Sequence, residues 1–152
     1  GRFQEVREKR GLCYSIFASA GAYCDTGTMT LYAGTSGDKV TELANITMDE
    51  VKRAADDMSE VEVARARAQM KAGLLMGLES PSSRAERLAR MIAIWDRIPS
   101  LDEVVAQIDG VTAEDVRNFA GSMAGGAPAA MALYGPVADA PTIDELQARL
   151  VA

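Results

Sequence analysis

Apolar and polar positions follow two different periods along this chain, and the change comes near residue 38. Residues 12–24 are rich in Tyr, Ile, Phe and small side chains, and residues 28–33 alternate at period two. Asp25-Thr26-Gly27 between them is a turn signal, so strands over 12–24 and 27–35 are expected to pair as an antiparallel β-hairpin. Ahead of them, residues 2–9 place Phe3 and Val6 on one face and run into Lys9, Arg10 and Gly11, the chemistry of a helix C-terminus.

From Asp38 onward the spacing is helical. Val40, Leu43, Ala44, Thr47, Val51, Ala54, Ala55 and Met58 predict an amphipathic helix of about six turns. Ser59 with Glu62 forms a capping box for a second helix, with Val63, Met70, Leu74 and Leu78 on one side. Ser83 with Glu86, Ser100 with Glu103 and Thr142 with Glu145 repeat that signature, and Thr112 with Asp115 approximates it. Apolar stripes follow: Ala85, Leu88, Ala89, Ile92 and Trp95; then Leu101, Val104, Val105 and Ile108; then Val116, Phe119, Ala120 and Met123. Gly125-Gly126-Ala127-Pro128 ends this section, residues 129–134 read as a short strand, and residues 142–151 read as a last helix. The expected class is α+β, an antiparallel sheet with helices packed on one face. The opening inside a helix predicts a fragment whose upstream strands are missing.

Composition narrows the chemistry. The 152 residues fit one domain over 1–152, with 48% apolar and 25% charged positions as in an ordinary globular domain. A net charge of −6 argues against a nucleic-acid binder or a polybasic membrane-surface protein. No apolar run approaches the ~20 residues that span a bilayer. The chain has no histidine, so it can hold no Ser-His-Asp triad, no Cys-His dyad and no His-bearing zinc site. Cys13 and Cys24 would lie roughly 35 Å apart in a single extended strand, far beyond the ~7 Å a disulfide allows. Both are expected as free thiols, which suits a reducing compartment and points to the cytoplasm. Periplasm and mitochondrial matrix stay open, since a cut fragment loses any signal.

Several smaller signals have plain readings. The segment Gly34-Thr35-Ser36-Gly37 lacks the spacing of a phosphate loop and reads as a strand-to-helix turn. Asp56, Asp57 and Glu60 read as solvated carboxylates, and Met70 and Met76 as core packing. Arg65, Arg67 and Lys71 read as a solvent face with i,i+4 support.

The stretch Phe3-Gln4-Glu5-Val6-Arg7-Glu8-Lys9-Arg10-Gly11-Leu12-Cys13-Tyr14-Ser15-Ile16 carries more. It resembles the second, non-zinc-binding domain of the insulinase/pitrilysin zinc metallopeptidases, especially the processing-peptidase branch. The likeness continues through Tyr23–Gly27, Tyr32–Thr35, Ala66–Lys71, Leu78–Ser80 and Val111–Val116, nearly the whole chain. The resemblance implies a zinc endopeptidase in which an activated water attacks a peptide carbonyl, with every metal ligand and the base on a separate N-terminal domain. This chain is then the half that closes the proteolytic chamber and is inactive alone, partnered by that zinc-bearing domain or a paralogous subunit and by a peptide substrate. No nucleic acid and no membrane is implied. In the family an arginine and a tyrosine seven residues later reach the substrate, and Arg7 and Tyr14 have that spacing. A guanidinium and a phenol aimed at one carbonyl would stabilise its developing oxyanion. Spacing alone leaves Arg7 as a charge complementing a helix end and Tyr14 as strand packing. Two rivals stand beside the peptidase reading: an inactive structural homologue, like respiratory-complex core subunits, and a stand-alone peptide-binding module.

Overall fold

The structure, a computed structural model, describes residues 13–23, 25–125 and 129–151. It is an α+β chain with a two-stranded antiparallel sheet and six helices among those residues. Strand β1 (Ser15–Ala22) pairs with β2 (Gly27–Gly34) in a register that sets Ser15 against Gly34, Phe17 against Tyr32 and Ala22 against Gly27. The Tyr23 N–H donates to the Thr26 carbonyl at 2.9 Å, closing the expected turn. Phe17 and Tyr32 stack across the strands with ring centroids 4.9 Å apart. The expected helix over 2–9 lies outside the described residues.

The chain divides into two compact units, residues 1–57 with 117–152 and residues 58–116. In the first, β2 leads through Ser36 into a 3-10 turn (Gly37–Lys39) and helix α1 (Val40–Asp56). Gly37 is required by close approach, because a Cβ there would stand 2.5 Å from the Pro136 carbonyl oxygen. The α1 stripe expected from spacing is the packed face, with Leu43 and Thr47 buried and the Thr47 hydroxyl donating to the Leu43 carbonyl at 2.7 Å. That bond satisfies the hydroxyl inside the helix and lets a β-branched polar residue face the core. Helix α6 (Ile143–Val151) packs along α1, buries Leu146 and starts in the predicted Thr142–Glu145 capping box.

The second unit holds α2 (Glu60–Gly77), α3 (Pro81–Trp95), α4 (Leu101–Gly110) and the first turn of α5 (Ala113–Ala124), whose remainder belongs to the first unit. The Ser59–Glu62 box is complete in both directions. Thr112 and Asp115 make the same reciprocal pair with an aspartate, and Ser100 accepts the Glu103 N–H at 3.1 Å. Helix α2 packs against α4.

Five expectations are corrected. Helix α3 starts at Pro81, capped by Ser80, whose hydroxyl accepts the Ser83 N–H at 3.3 Å. Proline at the first helical position has no N–H to leave unsatisfied and a preset φ, so the Ser83–Glu86 signature falls one turn inside the helix. Residues 129–134 form no strand, because no described segment offers them a ladder, and Tyr134 is fully exposed. On α3 the buried side chain is Met91, while Ile92 and Trp95 from the expected stripe are half-exposed. Leu88, Met91, Ile92 and Trp95 share one face at i, i+3, i+4, i+7, and the covered edge of that face is the one Met91 occupies, which the expected stripe left out. Met70 and Met76 are exposed rather than core, and the inward residue of α2 is Val63.

The fifth correction concerns charge. Glu60 is not simply solvated: its carboxylate pairs with Arg67 and accepts the Ala113 N–H at 3.2 Å, satisfying an open donor at the start of α5. Arg67 also donates to the Asp109 carbonyl at 2.9 Å, and Lys71 reaches the Asp109 carboxylate at 2.6 Å. The expected solvent face of α2 is therefore a polar clamp on the corner between α4 and α5.

Candidate functional site

The buried packing of the first unit meets the sheet at the start of β1. Cys13, a free thiol, is buried against Leu43 of α1, with Ile16 and Ile46 packed around them. Cys13 thus serves as a small apolar packing residue; Cys24 lies outside the described residues. Most of the remaining hairpin is exposed on both faces, so Cys13 and Ile16 are where the strand is held down.

Tyr14 follows directly. Its N–H donates to the Gly34 carbonyl at 2.8 Å, continuing the ladder one residue past the Ser15–Gly34 pair. Its side chain is 78% exposed, so the phenol is presented to the outside from a backbone fixed on both sides. Gly34 allows the close approach, since a Cβ there would come to 3.1 Å from the Ser15 hydroxyl. Beyond Gly34 the chain turns into the helical section as expected of residues 34–37. Arg7, the other predicted site residue, lies outside the described residues.

The chain's donor set does not suit zinc. It has no histidine, and among the described residues no three Cys, Asp or Glu side chains converge closely enough to hold a metal ion. The second unit holds an open apolar groove of about 280 Å³ between α2 and the α4–α5 corner, lined by Val63, Met70, Ile108 and Val116 among others. Arg67 borders it with a buried Nε–H that has no partner. No sequence pattern marks this groove, because its walls come from three helices whose mutual packing is tertiary. Among the described residues no helix is long and apolar enough to cross a membrane.

Comparison with known proteins bears on the fold and the family. Residues 1–70 match the family described as the Peptidase M16 inactive domain. An uncharacterized zinc protease of Streptomyces coelicolor is 33% identical over 138 residues, 90% of this chain and 30% of that protein. One from Mycobacterium tuberculosis is 34% identical over 119 residues, 78% of this chain and 27% of that protein. The zinc protease YmxG of Bacillus subtilis is 31% identical over 121 residues, 78% of this chain and 29% of that protein. Among solved structures, a chain of Complex III2 from Candida albicans, Inz-5 bound, superposes with a TM-score of 0.71 at 25% identity, covering 78% of this chain and 28% of that one. The chain thus spans less than a third of the length of these relatives. The α+β fold and the similarity to proteins named zinc proteases place the chain in the inactive-domain class of the metallopeptidases. The chain carries the inactive domain of the M16 peptidase family, matched over residues 1–70.

Proposed function

We propose that this chain, as one domain over 1–152, is the supporting half of a two-domain zinc endopeptidase. It closes the proteolytic chamber and lends Tyr14 and Arg7 to the substrate. The observation that carries the reading is the Tyr14 phenol, displayed beside a buried anchor at Cys13 on a chain whose relatives are named zinc proteases. The metal ion and the base belong to the zinc-bearing partner, either the same polypeptide or a paralogous subunit. Within that chamber, the Tyr14 hydroxyl donates a hydrogen bond to the scissile carbonyl oxygen. This bond strengthens as the oxygen becomes negative, so it lowers the barrier more than it tightens substrate binding. The Arg7 guanidinium adds a second, charge-assisted donor to the same carbonyl region. Alone, the chain cleaves nothing. The compartment proposed for the enzyme is the cytoplasm.

A second reading draws on the likeness to the Complex III2 chain: a structural homologue whose partner half has also lost its metal motif. Arg7 and Tyr14 weigh against it, because a scaffold has no chemical need for that pair. The full-length polypeptide, assayed on a fluorogenic peptide with and without a chelator, decides between them. Chelator-sensitive cleavage by the whole protein, absent from the isolated 152-residue chain, supports the peptidase. A full-length protein that neither binds zinc nor cleaves peptide establishes the scaffold.

A further inference from the structure

We infer that Cys13 is a positioning residue for Tyr14, and that a small side chain at position 13 keeps the phenol in register with the substrate. The inference rests on the peptidase reading and deepens it. Tyr14 is 78% exposed, so packing of its own ring does little to fix where its Cα–Cβ bond leaves the backbone. That direction is set by its neighbours. On one side the Cys13 side chain is inserted against Leu43, both under a tenth exposed, with Ile16 and Ile46 packed around them. On the other side stands the Ser15–Gly34 pair, and the Tyr14 N–H itself is bound to the Gly34 carbonyl at 2.8 Å.

The anchor behaves as a stop. Leu43 sits in the first half of α1, a 17-residue helix, so this wall belongs to a regular element rather than to a loop. A larger side chain at position 13 has no space to grow into without moving the strand away from α1, because packed interiors tolerate added methylenes poorly. Movement of the strand start carries Tyr14 with it, and a donor displaced by about 1 Å from a developing oxyanion forfeits on the order of a hundredfold in rate. The Gly34 side of the mount has a milder version of the same limit, since a Cβ there meets the Ser15 hydroxyl at 3.1 Å.

The test is a double-mutant cycle in the complete enzyme with its zinc-bearing half, measured as kcat and KM on a short peptide. Cys13→Leu is expected to lower kcat about 10- to 100-fold with KM within a few-fold of wild type, and Cys13→Ala to keep most of kcat. The Cys13→Leu/Tyr14→Phe double variant is expected to turn over no more slowly than Tyr14→Phe alone, because a positioning effect vanishes with the group it positions. Gly34→Ala, a smaller push on the same mount, takes the place of Cys13→Leu in the cycle if the leucine variant fails to fold. Additive losses in the double variant would overturn the positioning role while leaving Tyr14 its place in the chemistry. A Tyr14→Phe enzyme with wild-type kcat would remove both.

Discussion

Arg149 holds Asp49 with both arms of its fork, Nε on Oδ1 at 2.6 Å and Nη2 on Oδ2 at 2.7 Å, across a hundred residues of sequence. The pair ties α6 to α1, whose own inner face carries Leu43, so the last helix is linked through α1 to the anchor beneath Tyr14. Hydrogen bonding to Arg149 holds the Asp49 carboxyl below its usual range, against a smaller opposing push from desolvation.

A depressed carboxylate contributes stability that is present above its unfolded pKa, near 4, and is lost as pH falls through the lowered folded value. The wild-type chain should therefore lose part of its thermal stability on acidification below about pH 4. Asp49→Asn should be less stable than wild type at pH 7, with the difference shrinking toward pH 3 and in high salt, since both groups of the pair are about half exposed. Melting curves over pH and ionic strength check this; a difference that stays constant with pH would mean the contact is steric rather than electrostatic.

The Cys13–Leu43 contact is the packed centre of the first unit, and Leu43 is only 4% exposed. Leu43→Ala should cost about 2–4 kcal/mol. Urea titration of the variant against wild type gives the value, and a loss under about 1 kcal/mol would show that the site collapses around the deletion.

The start of α3 offers a clean separation of two serines. Ser80→Ala removes the hydroxyl that accepts the Ser83 N–H and should cost about 1 kcal/mol. Ser83→Ala leaves that N–H and its partner in place and should be nearly neutral. Equal losses in the two variants would return the cap to Ser83.

Glu60 serves two structures at once, as Arg67's partner and as the acceptor for the Ala113 N–H. Glu60→Gln keeps an oxygen for the amide but gives up the charge, whereas Glu60→Ala gives up both. The alanine variant should be the less stable by a few tenths to about 1 kcal/mol. Identical melting temperatures would mean that the start of α5 is satisfied by water.

Much of this architecture was legible because it is local. The period switch near residue 38 marked the end of the hairpin, and the capping boxes at Ser59, Thr112 and Thr142 are contacts within one turn, so they survive any tertiary arrangement. What sequence reading missed depends on partners far along the chain. On α3 the apolar face was legible, but which edge of it is covered, the one carrying Met91, depends on what packs there. Residues 129–134 have strand-like composition, but a strand exists only with a neighbour to pair with. Arg67 and Lys71 looked solvated because the Asp109 they reach is about forty residues away. At the site, Tyr14 was found by its spacing from Arg7 and by family resemblance. Gly34 and Leu43, which fix its backbone and its neighbour, carry no signal of that role in their own surroundings.

The central claim is that the exposed phenol of Tyr14 acts on the transition state. The direct measurement is steady-state kinetics of Tyr14→Phe in the complete enzyme, with melting curves alongside. Phenylalanine keeps the ring and its hydrophobic area, so the fold should barely change. Loss of one oxyanion donor should lower kcat by about 10²–10³ while KM moves little. Wild-type turnover in Tyr14→Phe would contradict the claim and leave the tyrosine as an exposed strand residue with no part in the reaction.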